Sequence, residues 1–224
     1  MEALLRALEA SVQAWPAMHR MGRVGTPDPH ALERALERFR WLCFPGFFGP
    51  SDGAHAEASS FLRMAVTELH DTLVPQLALA ERSRGTDSAA AAAAASAWML
   101  RLLEALPAIR ATLHQDAQEA WAADPAARTF EEVILCYPGI QAMVTHRFAH
   151  ALHTLGVPLA PRMLAEISHR RTGIDIHPGA SIGAGLFIDH GTGVVIGETT
   201  VIGTQCRIYP VSYTHLTLPT ILLV

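Results

Sequence analysis

The pattern of apolar and polar positions changes its rhythm once along the chain. Through about residue 172, apolar residues recur at spacings of three and four, the period of helices with one buried face. From Ile174 to Tyr209 the beat is six, with aliphatic residues at Ile176, Ile182, Ile188 and Val194. The phase then slips by two, and the beat resumes at Ile196, Ile202 and Ile208, with glycine following at Gly183, Gly197 and Gly203. A period of six fits neither a helix nor a flat strand and is the mark of a hexapeptide β-helix, in which each short strand makes one side of a coil. The expected class is therefore α+β: a helical N-terminal domain over residues 1–172 feeding a left-handed parallel β-helix over 173–210. At about 18 residues per coil, that stretch makes about two coils, fewer than repeat folds generally need, so the β-helix reads as incomplete.

Within the helical part, Leu4, Leu5, Leu8, Val12 and Trp15 make one face of a first helix. Asp28-Pro29 reads as an N-cap followed by proline at the first helical position, and Leu32, Leu36 and Phe39 continue one face of that second helix. The segment from Phe44 to Pro50, FPGFFGP, is a breaker-rich turn with three aromatics, read as a buried elbow, with a ligand pocket as the alternative. A third helix is expected over about 54–80, and 81–88 as an exposed polar loop. The alanine run at 89–97 has high helix propensity, with Trp98, Leu102 and Leu106 to bury, and Pro107 is expected to start a further helix. Asp124-Pro125 breaks the chain, and Thr129 with Glu132 forms a capping-box pattern. Helices are expected over 138–153 and 158–171, with Gly173 closing the last.

Residues 211–224, VSYTHLTLPTILLV, have neither glycine nor the six-residue beat. They read as a non-family tail, an artefact of read-through past about Pro210. A genuine short variant ending in an apolar strand is the alternative, and resequencing past codon 210 separates the two.

Composition narrows the class. Half of the residues are hydrophobic and the formal net charge is −4, which fits a folded soluble protein and gives no reason to expect nucleic acid or an anionic membrane as partner. Cys43, Cys136 and Cys206 are odd in number, far apart and without a CxxC, so they read as free thiols of a reducing compartment. With no basic segment leading into an apolar run at the N-terminus, and no apolar stretch judged long enough to span a bilayer, the expectation is a cytoplasmic protein.

The polar interruptions of the repeat carry the candidate chemistry. Asp175, His177, Asp189 and His190 sit where the scaffold mainly uses Ile, Val, Gly and Ala. Asp175 and His190 are fifteen residues apart, nearly one coil, and can approach around a corner, where successive layers stack at about 4.8 Å. A carboxylate beside an imidazole fixes its tautomer and raises its basicity, giving a base able to take a proton from a hydroxyl. Surface turn residues are the plainer alternative. A second cluster, His146, His150 and His153, lies on one helix face and reads as packing or subunit contact, with a metal site as the rival. His169-Arg170-Arg171 reads as a solvated helix C-terminus, with phosphate contact as the rival.

From about Asp124 to Pro210 these residues resemble the serine O-acetyltransferase family of hexapeptide acyltransferases. The stretch GIDIHPGASIGAGLFIDHGTGVVIGETTVIG carries that resemblance, with Asp124-Pro125-Ala126 and the helix containing Gly139 and His146-Arg147 upstream. The resemblance implies transfer of acetyl from acetyl-CoA to the hydroxyl of L-serine in cysteine biosynthesis, with acetyl-CoA as co-substrate and no permanently bound cofactor or metal. It implies His190 as general base, Asp175 as its paired carboxylate, Asp189 and Asp124 as carboxylates holding the serine ammonium, and His177 and Glu198 in supporting roles. It also implies a homotrimer or a dimer of trimers, with cysteine synthase as a partner of full-length members. The family continues for several coils that carry an Arg-His pair, much of the CoA groove and a docking peptide, none of which follows Pro210. The 224-residue product is thus expected to be weak or inactive. Rival readings are a hexapeptide O-acetyltransferase for a sugar or other hydroxyl, a γ-carbonic-anhydrase-like β-helix protein needing a third His ligand, and a non-catalytic interaction module.

Overall fold

The computed structural model describes residues 1–50 and 57–209. The proposed tail at 211–224 lies outside the described residues. Among the described residues, seven helices precede six short strands. The helices are α1 (Glu2–Ala14), α2 (Pro29–Cys43), α3 (Ala58–Arg82), α4 (Ser88–Ala123), α5 (Phe130–Cys136), α6 (Pro138–Thr154) and α7 (Ala160–Thr172), with one 3₁₀ turn at Pro16–Met18. The strands are β1 (Asp175–Ile176), β2 (Ser181–Ile182), β3 (Phe187–Ile188), β4 (Val195–Ile196), β5 (Val201–Ile202) and β6 (Arg207–Ile208).

Most starts and stops follow local chemistry. The Asp28 carboxylate accepts from the His30 amide at 3.1 Å, and Thr129 caps α5 through the Glu132 amide at 3.1 Å. Glu132 reaches back to the Arg128 amide at 3.0 Å, one residue before the position a capping box uses. Gly173 ends α7 in the left-handed conformation at φ 72°. One expectation fails at a proline. Pro107 does not start a helix; it sits inside the 36-residue α4, as Pro75 sits inside α3. Proline costs one ladder hydrogen bond, and apolar burial on both sides of it offsets that loss: Met99 and Leu102 before Pro107, Leu113 and Ala117 after it. By length and composition alone α4 could cross a membrane, yet those same positions pack into the core. The apolar face expected on α1 forms but stays exposed, with Leu4 59%, Leu8 55% and Trp15 63% accessible. In the aromatic turn Phe44 is buried and Phe47 exposed, and a cleft of about 510 Å³ opens beside them, lined also by Arg110, His114 and Phe130.

The strands pair in parallel as β1 with β4, β2 with β5 and β3 with β6. Asp175 lies beside Val195, Ser181 beside Val201 and Phe187 beside Arg207, a constant offset of twenty residues. The chain thus passes the same three positions twice, and the two-residue slip seen in the sequence is the difference between twenty and the eighteen of a plain coil.

One apolar cluster runs through both parts. Phe39 of α2 stacks on Phe148 of α6 at 4.3 Å, and Ile176, Ile182, Leu186, Phe187 and Ile188 of the strand segment join the same cluster. At its centre lies an ion pair between Asp116 of α4, 0% exposed, and Arg147 of α6. Arg147 donates to Asp116 at 3.2 and 3.3 Å, to the Gly183 carbonyl at 2.7 Å, and to the Ile182 carbonyl. Asp116 also accepts from the amides of Gly185 at 2.8 Å and Leu186 at 3.0 Å. Burial pushes the Asp116 carboxyl above its usual range, while Arg147 and the two amides pull it back. The turn between β2 and β3 has four backbone groups satisfied by this single pair. Arg171, expected to be solvated, instead bonds Glu37 at 2.7 Å and Glu33 at 2.6 Å and ties α7 to α2.

Asp116→Ala would strand a buried guanidinium and two amides. The expected loss is about 3–5 kcal/mol of unfolding free energy, read from urea melts. A loss below about 1 kcal/mol, the level of an exposed pair, would remove the clamp from this account.

Candidate active site

The two extra residues of the repeat are accommodated in the loop from Asp189 to Val194, between β3 and β4. His190, Gly191 and Gly193 there take φ of 51°, 85° and 86°. For histidine this left-handed conformation is uncommon and costs about 1–3 kcal/mol, a strain that clusters at functional sites. Gly191 is required on a second count, because a Cβ would fall 2.3 Å from Ile174 Cδ1. The loop folds back on the entry to β1. The Gly193 amide donates to the Gly173 carbonyl and the Asp175 amide to the Val194 carbonyl, both at 2.9 Å.

This corner therefore holds both His190 and Asp175, though not as the hydrogen-bonded pair expected from their spacing. Among the described residues no hydrogen bond or ion pair joins them. The reason lies in the register: one layer is twenty residues, so Asp175 stacks on Val195 and not on a residue near His190. The Asp175 carboxylate accepts from Arg162 of α7 at 3.5 Å, and the His190 side chain is 71% exposed, with Nε2 3.8 Å from Asp189 Oδ1.

Asp189 is buried and stands at the head of the same loop. The N-terminus of α6 presses against this point: a Cβ on Gly139 would lie 2.4 Å from the Ile188 carbonyl oxygen. Just ahead of Gly139, Tyr137 donates its phenol O–H to Asp124 Oδ2, and Asp124 Oδ1 accepts from the Ala126 amide at 2.8 Å. Burial first, then the carboxylates of Asp124, Glu132 and Asp189, push the Tyr137 phenol above its usual range, so it remains a donor at ordinary pH. The phenol thus lies within the field of both carboxylates expected to hold an ammonium. Tyr137 was not among the residues expected from the sequence. Its signal was Tyr-Pro-Gly at a helix start, where Ser, Thr or Asp is the usual cap.

His177 and Glu198 gather at a different corner. His177 Nδ1 accepts from the Gly179 amide at 3.1 Å, its ring stands 6.1 Å from that of His153, and the Glu198 side chain reaches the same glycine. The histidine helix face splits accordingly. His150 Nδ1 bonds the Pro178 carbonyl at 2.8 Å, and His146 is buried with neither ring nitrogen hydrogen-bonded. Burial, with the Arg147 and His150 charges, lowers the His146 pKa to about 3. Among the described residues, the three groups close enough to share a cation are Glu166, His169 and Asp175, but Arg162 already pairs with Glu166 and Asp175.

No model of a known protein family matches the chain. Over 190 residues it is 43% identical to "Serine acetyltransferase, plasmid" of Synechococcus elongatus, covering 82% of this chain and 60% of that protein. Over 86 residues it is 58% identical to the serine acetyltransferase of Synechocystis sp., covering 38% of this chain and 34% of that protein. The crystal structure of Entamoeba histolytica serine acetyltransferase 1 in complex with L-cysteine is similar at a TM-score of 0.68 and 37% identity, over 83% of this chain and 62% of that one. The chain thus spans less than two thirds of the length of each of these proteins.

Two outcomes test the geometry. Gly139→Ala is expected to lower unfolding free energy by about 1–3 kcal/mol, because backbone and not a flexible side chain meets the new methyl; an unchanged melting temperature would contradict the contact. His146 has a folded pKa below its unfolded value of 6.5, so its contribution is complete above that value and is lost as pH falls toward 3. Urea melts between pH 7 and pH 4 should therefore weaken less in His146→Met than in the unsubstituted chain, and identical slopes would refute the buried neutral imidazole.

Proposed function

We propose that the chain belongs to the serine acetyltransferase family and that the whole protein transfers acetyl from acetyl-CoA to the hydroxyl of L-serine, giving O-acetyl-L-serine for cysteine biosynthesis. The observation that carries this reading is the convergence of Asp124, Tyr137 and Asp189 beside His190: two carboxylates fit an ammonium, and an exposed imidazole stands next to them. The Entamoeba structure named above contains L-cysteine, an amino acid close to serine in size and charge, which supports an amino-acid acceptor over a sugar.

In the proposed reaction, the His190 imidazole takes the serine hydroxyl proton as that oxygen attacks the thioester carbonyl carbon. The tetrahedral adduct collapses with cleavage of the carbon–sulfur bond, and the imidazolium returns the proton to the CoA thiolate. An ester forms, a thioester breaks and no net proton is released. Asp175, at the same corner, is assigned to the imidazole once acceptor binding draws it from Arg162. His177 and Glu198 keep a supporting place at the neighbouring corner. Acetyl-CoA is a co-substrate and not a resident cofactor, and much of its binding is assigned to coils of the whole protein beyond these residues. The same reading takes the parallel strand pairs as turns of a left-handed β-helix beginning near residue 173, the assembly as a trimer or pair of trimers, and the setting as cytoplasmic.

Thiol release from acetyl-CoA, measured with L-serine and with a panel of sugars, tests the assignment. Serine turnover is expected of the whole protein, and His190→Asn in it should slow that turnover about 100-fold or more, while its circular dichroism is unchanged because asparagine tolerates the left-handed backbone. Sugar turnover without serine turnover, or a full rate in His190→Asn, would overturn the reading.

A further inference from the structure

Tyr137 is held by more of the backbone than a surface tyrosine needs. It ends α5 and begins α6 at once: its amide donates to the Val133 carbonyl at 3.3 Å, and its carbonyl accepts from the Gln141 amide at 3.2 Å. Two residues on, Gly139 is pressed against the backbone that leads into Asp189. The direction of the phenol is thereby fixed relative to the Asp189–His190 corner.

The phenol meets Asp124 where that carboxylate is already held from its other side. Asp124 Oδ1 takes the Ala126 amide and Oδ2 takes the Tyr137 hydroxyl, so the plane of the carboxylate is fixed at both oxygens. Both donors are neutral. Elsewhere in this chain the important carboxylates meet guanidinium groups instead, Asp116 with Arg147 and Asp175 with Arg162. A guanidinium orients a carboxylate and cancels its charge, whereas a phenol orients it and leaves the charge intact. The carboxylates whose charge acts on this phenol are Asp124, Glu132 and Asp189.

We infer that Tyr137 is a positioning residue of the acceptor site, setting Asp124, its charge uncancelled, against Asp189 so that the two carboxylates face one ammonium group. The inference rests on the serine-acceptor reading and adds to it the atom that sets selectivity for an α-amino acid. Tyr137 acts through Asp124 and takes no part in proton or acetyl transfer. Phenylalanine at this position keeps the ring and its packing and removes only the oriented donor.

The test is steady-state kinetics of Tyr137→Phe in the whole protein, with its remaining coils, and L-serine binding by calorimetry beside it. The expected result is a KM for serine raised about tenfold, with kcat and the KM for acetyl-CoA within about twofold. In an Asp124→Asn background the same substitution should add nothing, because the group it positions has lost its charge. An unchanged serine KM, a parallel rise in the acetyl-CoA KM, or full additivity with Asp124→Asn would each overturn the role of Tyr137. If the unsubstituted protein neither acetylates nor binds serine, the acceptor reading itself fails and this inference falls with it. A serine-competent protein indifferent to Tyr137→Phe sinks the inference alone.

Discussion

The buried pair of Asp116 and Arg147 is the constraint on which the rest of the site depends. Two-residue strands carry few hydrogen bonds each, and two passes over three positions bury little apolar surface of their own. The first pass is held in place from outside. Its turn at Ile182–Leu186 hands two carbonyls to Arg147 and two amides to Asp116, and the flanking Ile182, Leu186, Phe187 and Ile188 enter the helical core. A buried ion pair is poor evidence of stability in itself, since desolvation offsets much of its attraction. Its value here is specificity of docking: few other arrangements of this turn on α4 and α6 leave all four backbone groups and both charges satisfied. Because β3 runs directly from that turn to Asp189, the position of the reactive corner is inherited from the helices.

The same view explains how charge is distributed. Asp116 is matched by a guanidinium, so its charge is spent within the fold. Asp175 meets Arg162, which makes its availability conditional on that contact. Among the described residues Asp124 meets only neutral donors, and it lies in the region where Asp189 also acts on Tyr137. In the proposed reaction such a site discriminates by charge and shape before any chemistry occurs, as selection of an amino acid over an uncharged hydroxyl compound requires.

Where the sequence was legible, one local rule acted without competition. The six-residue beat placed all six strands, and Asp28, Thr129 and Gly173 placed helix ends, since each depends on neighbours a few residues away. The slip of two residues after Val194 marks an irregular corner, but the register of twenty is not read from it when a plain coil of about eighteen is expected. Legibility ended where distant residues decide. Pro107 is a breaker by local rules, yet packing before and after it carries α4 through. Arg171 has the look of a solvated helix end, and its partners Glu33 and Glu37 are more than 130 residues away. Tyr137 pairs with a carboxylate thirteen residues earlier across a helix junction, and no periodicity encodes that meeting. Asp175 and His190 share a corner without a bond between them for a related reason: spacing of about one layer brings two residues to one corner, but the direction of each side chain is set by Arg162 on one side and by a left-handed backbone on the other.

That left-handed backbone links the scaffold to its use. A plain turn of the repeat would hold residue 190 in the wall of the coil, with its side chain packed or pointing along the layer. Two extra residues, with glycines at 191 and 193, lift the chain into a corner that carries His190 outward, and the strain of its φ is borne by the pinned strands on either side. The imidazole is consequently the exposed member of a group whose carboxylates are half-buried or buried. A base that receives a proton from one substrate and delivers it to the leaving group of another must be reachable from both, whereas groups that only orient an ammonium gain from being recessed and fixed. The irregularity in the six-residue beat is thus where a repeating scaffold gives up its regularity to present one residue.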